Sequence, residues 1–535
     1  MESPHLAGDG PAHVVDPEGP PRAEDLEAPA GLLDEVLHAT RARQVDRSEL
    51  DRFLDESSPW RALCRWLGLS GISGVPSKDE AKRLLCRDIA RIDALLNDQV
   101  NAILHRPEFQ KLEASWRGLQ YLVGKLPKDA TVKLRVLNAT WGELEQDLTN
   151  ALEFDQSQLF RKVYESEFGH PGGQPFGALI GDYEIRHRRG PDHPQDDVEM
   201  LERIAEVAAA AFAPFIAGAH PSFFGIDSFT ELERSLDLHR TFEQPEYRKW
   251  RSLRGKEDAR FVGLTLPRIL MRLPYKPDRT TSRGFRFRED VEWSDRSRYL
   301  WGNSVYAFGG VLIRCFVSSG WVADIRGVRQ GPDASGVAQC LDEGGLVADL
   351  HAQSFSTDRR DVATKCSTDV IITDMQEREL DEMGFMPLCH CYDTNYSAFY
   401  GTSSIQQPTK YDEPSATINA RMSAMLQYIL CVSRFAHFLK VIGRDQIGSM
   451  SGPDKVEDFL NRWLRDYTTG SENAGPEVKA RYPLREARVQ VRERPDSPGS
   501  YDCIIHLRPH YQLDQMETTL KFTTELTPAR SGASA

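Results

Sequence analysis

The sequence predicts a mixed α/β protein of more than one domain. Three features point there: a long helical periodicity over 79–105, alternating strand-like and helix-like stretches over 109–392, and a second patterned region that ends in a strand at 516–526. A chain of 535 residues is long for one core. The reading divides it into an acidic arm (1–30), a helical region (31–105), an α/β domain (106–392), a C-terminal domain (393–526) and a flexible tail (527–535).

Residues 1–30 hold six prolines and many acidic residues against the single Arg22, so a disordered arm is expected. A short amphipathic helix follows, with Leu32, Leu33, Val36 and Leu37 on one stripe. The arm makes that helix a candidate docking peptide, and folding back on the core is the bland alternative. Helices are expected over Ser48–Glu56, with Leu50, Phe53 and Leu54 inward, and over Pro59–Leu67, with Trp60, Leu63 and Trp66. From Asp79 to His105 the apolar positions Leu85, Ile89, Ile92, Leu96, Val100 and Ile103 recur every three or four residues until Pro107. Such a stripe needs a partner surface.

In the α/β region, strands are expected at Val132–Leu137, Phe176–Ile180, Arg260–Leu266, Trp321–Ile325, Val370–Thr373 and Phe385–Cys391. Helices are expected at Val198–Ile216, Asn303–Val317 and Met375–Met383. Gly309 and Gly310 lower the propensity of the second of these helices and suggest that a neighbour approaches closely. Beyond Pro408 and Pro414, Ile418–Ile442 reads as a buried helix, and Val456, Phe459, Leu460, Trp463 and Tyr467 form an amphipathic one. Cys503–Leu507 is a short strand. At the end Met516, Thr518, Leu520, Phe522, Thr524 and Leu526 share one face of a long strand that can pair outward as readily as inward.

Apolar residues are 40% and charged residues 27%, as in ordinary soluble proteins. The net charge of −14 argues against nucleic acid, which is held by basic residues on phosphates. Nine scattered cysteines fit free thiols in a reducing cytosol. The first residues carry no secretion signal, and the apolar run 207–218 is too short to span a bilayer, so a cytoplasmic protein without membrane insertion is expected.

Signs of chemistry are sparse. Gly71–Lys78 fails as a phosphate loop, because Ser77 replaces the glycine before the lysine and Asp79 replaces the magnesium-binding hydroxyl. Cys389, His390 and Cys391 lie on an expected strand, where the histidine points away from both thiols, so a buried strand outweighs a metal site. His437, in the buried helix, fits a satisfied core histidine better than a base. No zincin, nucleophile-elbow or dinucleotide motif occurs. The reading is a non-enzyme with no cofactor and no metal.

Several stretches resemble one family. They are His105–Leu119, Gly181–Glu184, Ala213–Gly218, Trp250–Arg254, Leu264–Arg268, Tyr299–Asn303, Gly384–His390, Ser433–His437, Ala480–Ala487 and Leu507–His510. In this order they resemble the TssC (VipB, EvpB) large subunit of the type VI secretion contractile sheath, from about 85 to 526. The stretches Gln44–Lys82 and Val347–Phe355 depart from the family pattern. The resemblance implies a multidomain sheath subunit with a helical N-terminal region and a C-terminal strand available for inter-subunit sheets. It implies co-assembly with the small sheath subunit (TssB/VipA) into rings and a helical tube around an Hcp inner tube, contraction triggered by a baseplate, and recycling by the AAA+ unfoldase ClpV. In that family strands are exchanged between protomers, and Met516–Leu526 is the matching element here. The unfoldase binds an N-terminal helix, for which Leu32–Leu37 is the match. The alternative is a one-component sheath of a phage-tail-like injection particle, and a cytosolic enzyme is a distant third.

Overall fold

The computed structural model describes residues 52–68, 77–128, 132–168, 170, 172–234, 236–277, 284–292, 295–332, 338–340, 342–356, 363–391, 394–446, 453–471, 474–493 and 501–510. The chain forms two units, residues 1–96 and 97–535. In the first, helix α1 (Pro59–Trp66) starts on a proline suited to its first turn; helix α2 (Lys78–Leu104), whose residues up to Leu96 belong to this unit, is capped by Ser77, whose Oγ accepts from Glu80 N. Trp66 donates to Asp88 Oδ2 at 3.2 Å and packs on Phe53. Leu54 and Trp60, expected inward, are exposed, and so are Ile89, Ile92, Leu96 and Ile103 of the predicted α2 stripe, with Ile89 56% accessible.

The second unit is built on a six-stranded sheet. Its strands are β1 (Leu179–Ile185), β2 (Phe215–Ala219), β3 (Val262–Leu266), β4 (Leu346–Val347), β5 (Phe385–His390) and β6 (Ser397–Phe399), in spatial order β1-β2-β3-β5-β6-β4. The first four in that order run parallel and the rest are antiparallel. Every residue of β2, β3 and β5 is buried, which is why these strands read as continuous apolar runs. Helix α3 (Pro107–Gly124) and helix α6 (Val305–Ser319) join one core cluster with Ile216, Met386 and Leu388. A second cluster gathers helix α4 (Trp141–Asn150) and helix α5 (Asp197–Ala211) with Trp250 and Phe385.

The glycine pair of α6 marks a close helix crossing, as its low propensity suggested. A Cβ on Gly309 would stand 2.9 Å from Leu122, and one on Gly310 would stand 2.9 Å from Tyr121. From the other side, a Cβ on Gly118 would overlap the Tyr306 ring. Bare backbone on both helices therefore lets them approach.

Several expectations in the sheet region need correction. The helix expected over 198–216 ends at Ala211: Phe212 adopts a left-handed φ of 52°, its N–H bonding Ala208 and Ala209 carbonyls, and Phe215–Ala219 becomes the buried strand β2. A short buried apolar run looks alike in a helix and in a central strand. Residues 321–325 form no strand; Trp321 is apolar because it stacks on Phe435 at 4.0 Å. Residues 370–373 form none either; Val370 and Ile372 are anchored in the core, and Thr373 with Gln376 makes the capping box of helix α7 (Asp374–Glu382). Residues 132–137 are not in a ladder.

The C-terminal region carries helix α8 (Pro414–Ser423), helix α9 (Leu426–Gln446) and helix α10 (Pro453–Arg465). The predicted single helix is broken at Ala424, whose carbonyl accepts from Ser404 N at 3.0 Å and Ser404 Oγ at 2.6 Å. Strands β7 (Leu484–Glu493) and β8 (Tyr501–Pro509) form an antiparallel hairpin on α10. Trp321, Phe435, Leu464 and Val489 share its core. Helix α9 docks on the sheet domain through His437, which reaches the Ala211 carbonyl at 3.0 Å. Lys440 lies 4.7, 4.9 and 5.1 Å from the ring centroids of Phe212, Phe168 and Tyr164, so cation–π attraction adds to that joint.

Candidate functional site: an open sheet edge and a polar cavity

The β7–β8 hairpin has two unlike edges. On β7, Val489 N donates to Asn461 Oδ1 at 2.9 Å, the Val489 carbonyl accepts from Asn461 Nδ2 at 3.1 Å, and Val491 N donates to Glu457 Oε2 at 2.9 Å. These groups face away from β8, so side chains of α10 occupy that edge. The outer edge of β8 has no backbone partner among the described residues. Strand edges left open in this way are templates for another strand. β7 was not expected as a strand. Its alternation of Ala487, Val489 and Val491 with Arg488, Gln490 and Arg492 was the available signal, and the dense charge masked it.

The predicted partner-binding residues lie outside the described residues. That holds for Leu32, Leu33, Val36 and Leu37 and for Met516, Thr518, Leu520, Phe522, Thr524 and Leu526. Residues 516–526 begin seven positions after the end of β8 at Pro509.

A polar cavity of about 870 Å³ opens at the carboxyl ends of β1, β2 and β3. Four of the stretches that carry the resemblance, around Ser115, Asp182–Glu184, Arg268 and Asn303, line it, an arrangement not legible from their spacing. Arg268 holds Glu184 with two bonds, Nε to Oε1 at 2.6 Å and Nη2 to Oε2 at 2.7 Å. Burial disfavours the charge of Glu184, but the Arg268 guanidinium outweighs it and keeps the carboxyl below its ordinary value. Asp369 accepts from Arg268 N at 3.1 Å; burial pushes its pKa up to about 7 against the pull of Arg268. His220 is pushed down to about 4, first by burial, and its Nδ1 accepts from Ser222 N at 3.1 Å. His193 Nε2 lies 2.6 Å from Asp197. These groups hold each other, an arrangement that fixes the strand ends in place.

The other candidate chemistry resolves similarly. His390 and Cys389 are both buried on β5. Among the described residues, no three His, Cys, Asp or Glu gather where a metal ion would be held. His437 is 1% accessible and pushed down to about 4 by burial, a core histidine bonded to backbone. Among the described residues, no helix is long and apolar enough to cross a membrane.

Known proteins decide the family. Residues 86–406 match the EvpB/VC_A0108 tail sheath N-terminal domain, and residues 415–526 match the EvpB/VC_A0108 tail sheath gpW/gp25-like domain. The chain belongs to the VipB/EvpB tail sheath family. It is 42% identical over 445 residues to the type VI secretion system sheath protein TssC1 of Pseudomonas aeruginosa, an alignment covering 83% of this chain and 86% of that one. As a VipB/EvpB protein it is a large subunit of a contractile sheath, a structural protein. Among solved structures, a chain of the anti-feeding prophage baseplate aligns with TM-score 0.33 and 10% identity, over 74% of this chain and 84% of that one. A chain of the contracted anti-feeding prophage helical sheath aligns with TM-score 0.24 and 11% identity, over 62% and 75%.

Proposed function

We propose that this VipB/EvpB chain assembles with the small sheath subunit (TssB/VipA) into a helical tube around an Hcp inner tube. Contraction of that tube, triggered from a baseplate, drives effector translocation. The observation that carries the reading is the match to both sheath domains over 86–526. The extended tube is then a metastable lattice, and the stroke draws on interface free energy summed over many identical contacts. The subunit needs neither nucleotide nor cofactor, acts in the cytoplasm, and is not an enzyme. Contracted sheath is recycled by the AAA+ unfoldase ClpV through the helix at Leu32, Leu33, Val36 and Leu37.

In this reading the bare β8 edge accepts the strand Met516–Leu526 donated by a neighbouring protomer. Main-chain hydrogen bonds then link rings while they slide. Deleting residues 516–535 tests this: negative-stain images of the co-expressed subunits are expected to show no tubes. Normal tubes would show that this strand makes no inter-subunit link.

A further inference from the structure

The polar cavity at the strand ends leaves hydrogen-bond donors over once its internal bonds are counted. Its carboxylates are committed: Glu184 takes two bonds from Arg268, Asp182 Oδ2 accepts from Ser115 Oγ, and Asp369 Oδ1 accepts from Arg268 N. Arg296, also in the lining, is spent on the Asp369 carbonyl at 2.7 Å and on Glu233 at 2.9 Å. Two lining cations are not spent. Half-buried Arg186 and exposed Lys111 make no ion pair among the described residues.

His220 adds a donor. Its Nδ1 accepts from Ser222 N at 3.1 Å, and burial pushes the ring down to about 4, so the neutral ring carries its proton on Nε2. The other tautomer would orphan Ser222 N–H, which meets no second partner among the described residues. Nε2 lies 3.5 Å from Arg186 Nη2, itself a donor, and 4.0 Å from Glu184 Oε2, beyond hydrogen-bond range. Two N–H groups cannot bond each other, whereas one acceptor beside both satisfies them together. Ser228 supplies a further donor: its Oγ accepts from Thr230 N at 3.4 Å and Thr230 Oγ1 at 3.1 Å, which leaves its own hydrogen for the cavity. The volume of about 870 Å³ is that of a small-molecule site, and Tyr299 and Trp301 give it aromatic walls.

We infer that this cavity binds a small organic oxyanion, a carboxylate or a phosphate, with Arg186 and His220 as converging donors and Lys111 as a second cation. Arg186 directly follows β1, His220 directly follows β2, and Lys111 lies on α3. A bound anion therefore ties that helix to the strand ends and stabilises the chain by mass action. The inference stands apart from the sheath reading, since every group it uses belongs to this one chain.

Equilibrium dialysis of the full chain against inorganic phosphate and against citrate, with ionic strength held constant by chloride, tests the inference. Saturable binding of one of these anions is expected, weakened at least about tenfold in Arg186→Gln and in Lys111→Gln, the scale of one charge-assisted hydrogen bond. Both variants should keep the melting midpoint of the chain without added anion, because neither side chain is ion-paired there. If Arg186→Gln lowers that midpoint, Lys111→Gln decides alone, since Lys111 is exposed. Uptake that does not saturate, or binding that Lys111→Gln and a folded Arg186→Gln leave unchanged, overturns the site and leaves water as the acceptor between Arg186 and His220. A chain that binds neither anion, yet forms no tubes on co-expression once it carries Arg186→Gln, overturns it too and assigns these donors to a carboxylate of a neighbouring subunit.

Discussion

Arg272 is where a single side chain holds the most structure. Its guanidinium reaches Glu289 at 2.5 Å and Glu113 at 2.7 Å and lies 4.4 Å from the Tyr275 ring centroid, tying α3 to the segment before residue 292. The Arg272 side chain is 6% accessible and that of Glu289 is 1%. Removing one member strands a buried charge, so Arg272→Met is expected to lower unfolding free energy by about 3–5 kcal/mol in urea titration. A loss below about 1 kcal/mol would show that this network is not a structural anchor. His437 adds a pH dependence. Burial lowers its pKa from 6.5 to about 4, so the unfolded chain takes up the proton first. Its contribution is constant above about pH 6.5, and stability falls as pH drops from there toward 4, by on the order of 3 kcal/mol. His437→Gln should flatten that part of the stability profile; an unchanged slope between pH 6.5 and 4 would assign the acid sensitivity elsewhere.

At the scale of elements, helices with a regular apolar stripe were legible whether or not the stripe is covered. The helices at 59–66, 78–104 and 453–465 lie within a residue or two of their apolar stripes. Strand β2 was not legible, because its run Phe215–Ala219 follows the apolar end of α5 almost without a break and was read as part of that helix, whereas β3 and β5, equally buried, stand apart from helical runs. The bulk of Trp321 and Val370 was mistaken for strand because loop residues anchored in a core are as apolar as strand residues. The cavity was legible only as separate motifs, since Glu184 and Arg268 are 84 residues apart and meet through the parallel order of β1, β2 and β3. The proposed docking helix at Leu32–Leu37 carries its own prediction. Leu33→Asp charges the middle of the apolar stripe, so sheath assembly should persist while ClpV capture on beads falls at least about tenfold. Equal capture of the variant would remove that helix from recycling.

At the scale of the whole molecule, the apolar stripe of α2, the stretch 132–139 and the outer edge of β8 are left open among the described residues. A chain meant to remain a monomer blunts such features with charge, proline or cover. A subunit of a lattice keeps them for its neighbours, and two tail sheath domains spanning residues 86–526 place this chain in such a lattice. The joint formed by His437 and Lys440 ties the helix of the second domain to the first.

The central claim is that this chain builds a sheath only with a second, smaller polypeptide. Electron microscopy of the chain expressed alone and co-expressed with the small subunit from its gene cluster tests it most directly. Hollow ribbed tubes on co-expression and none from the chain alone are the expected result. Tubes from this chain by itself would instead make it a one-component sheath, and monodisperse particles in both samples would contradict assembly as its function.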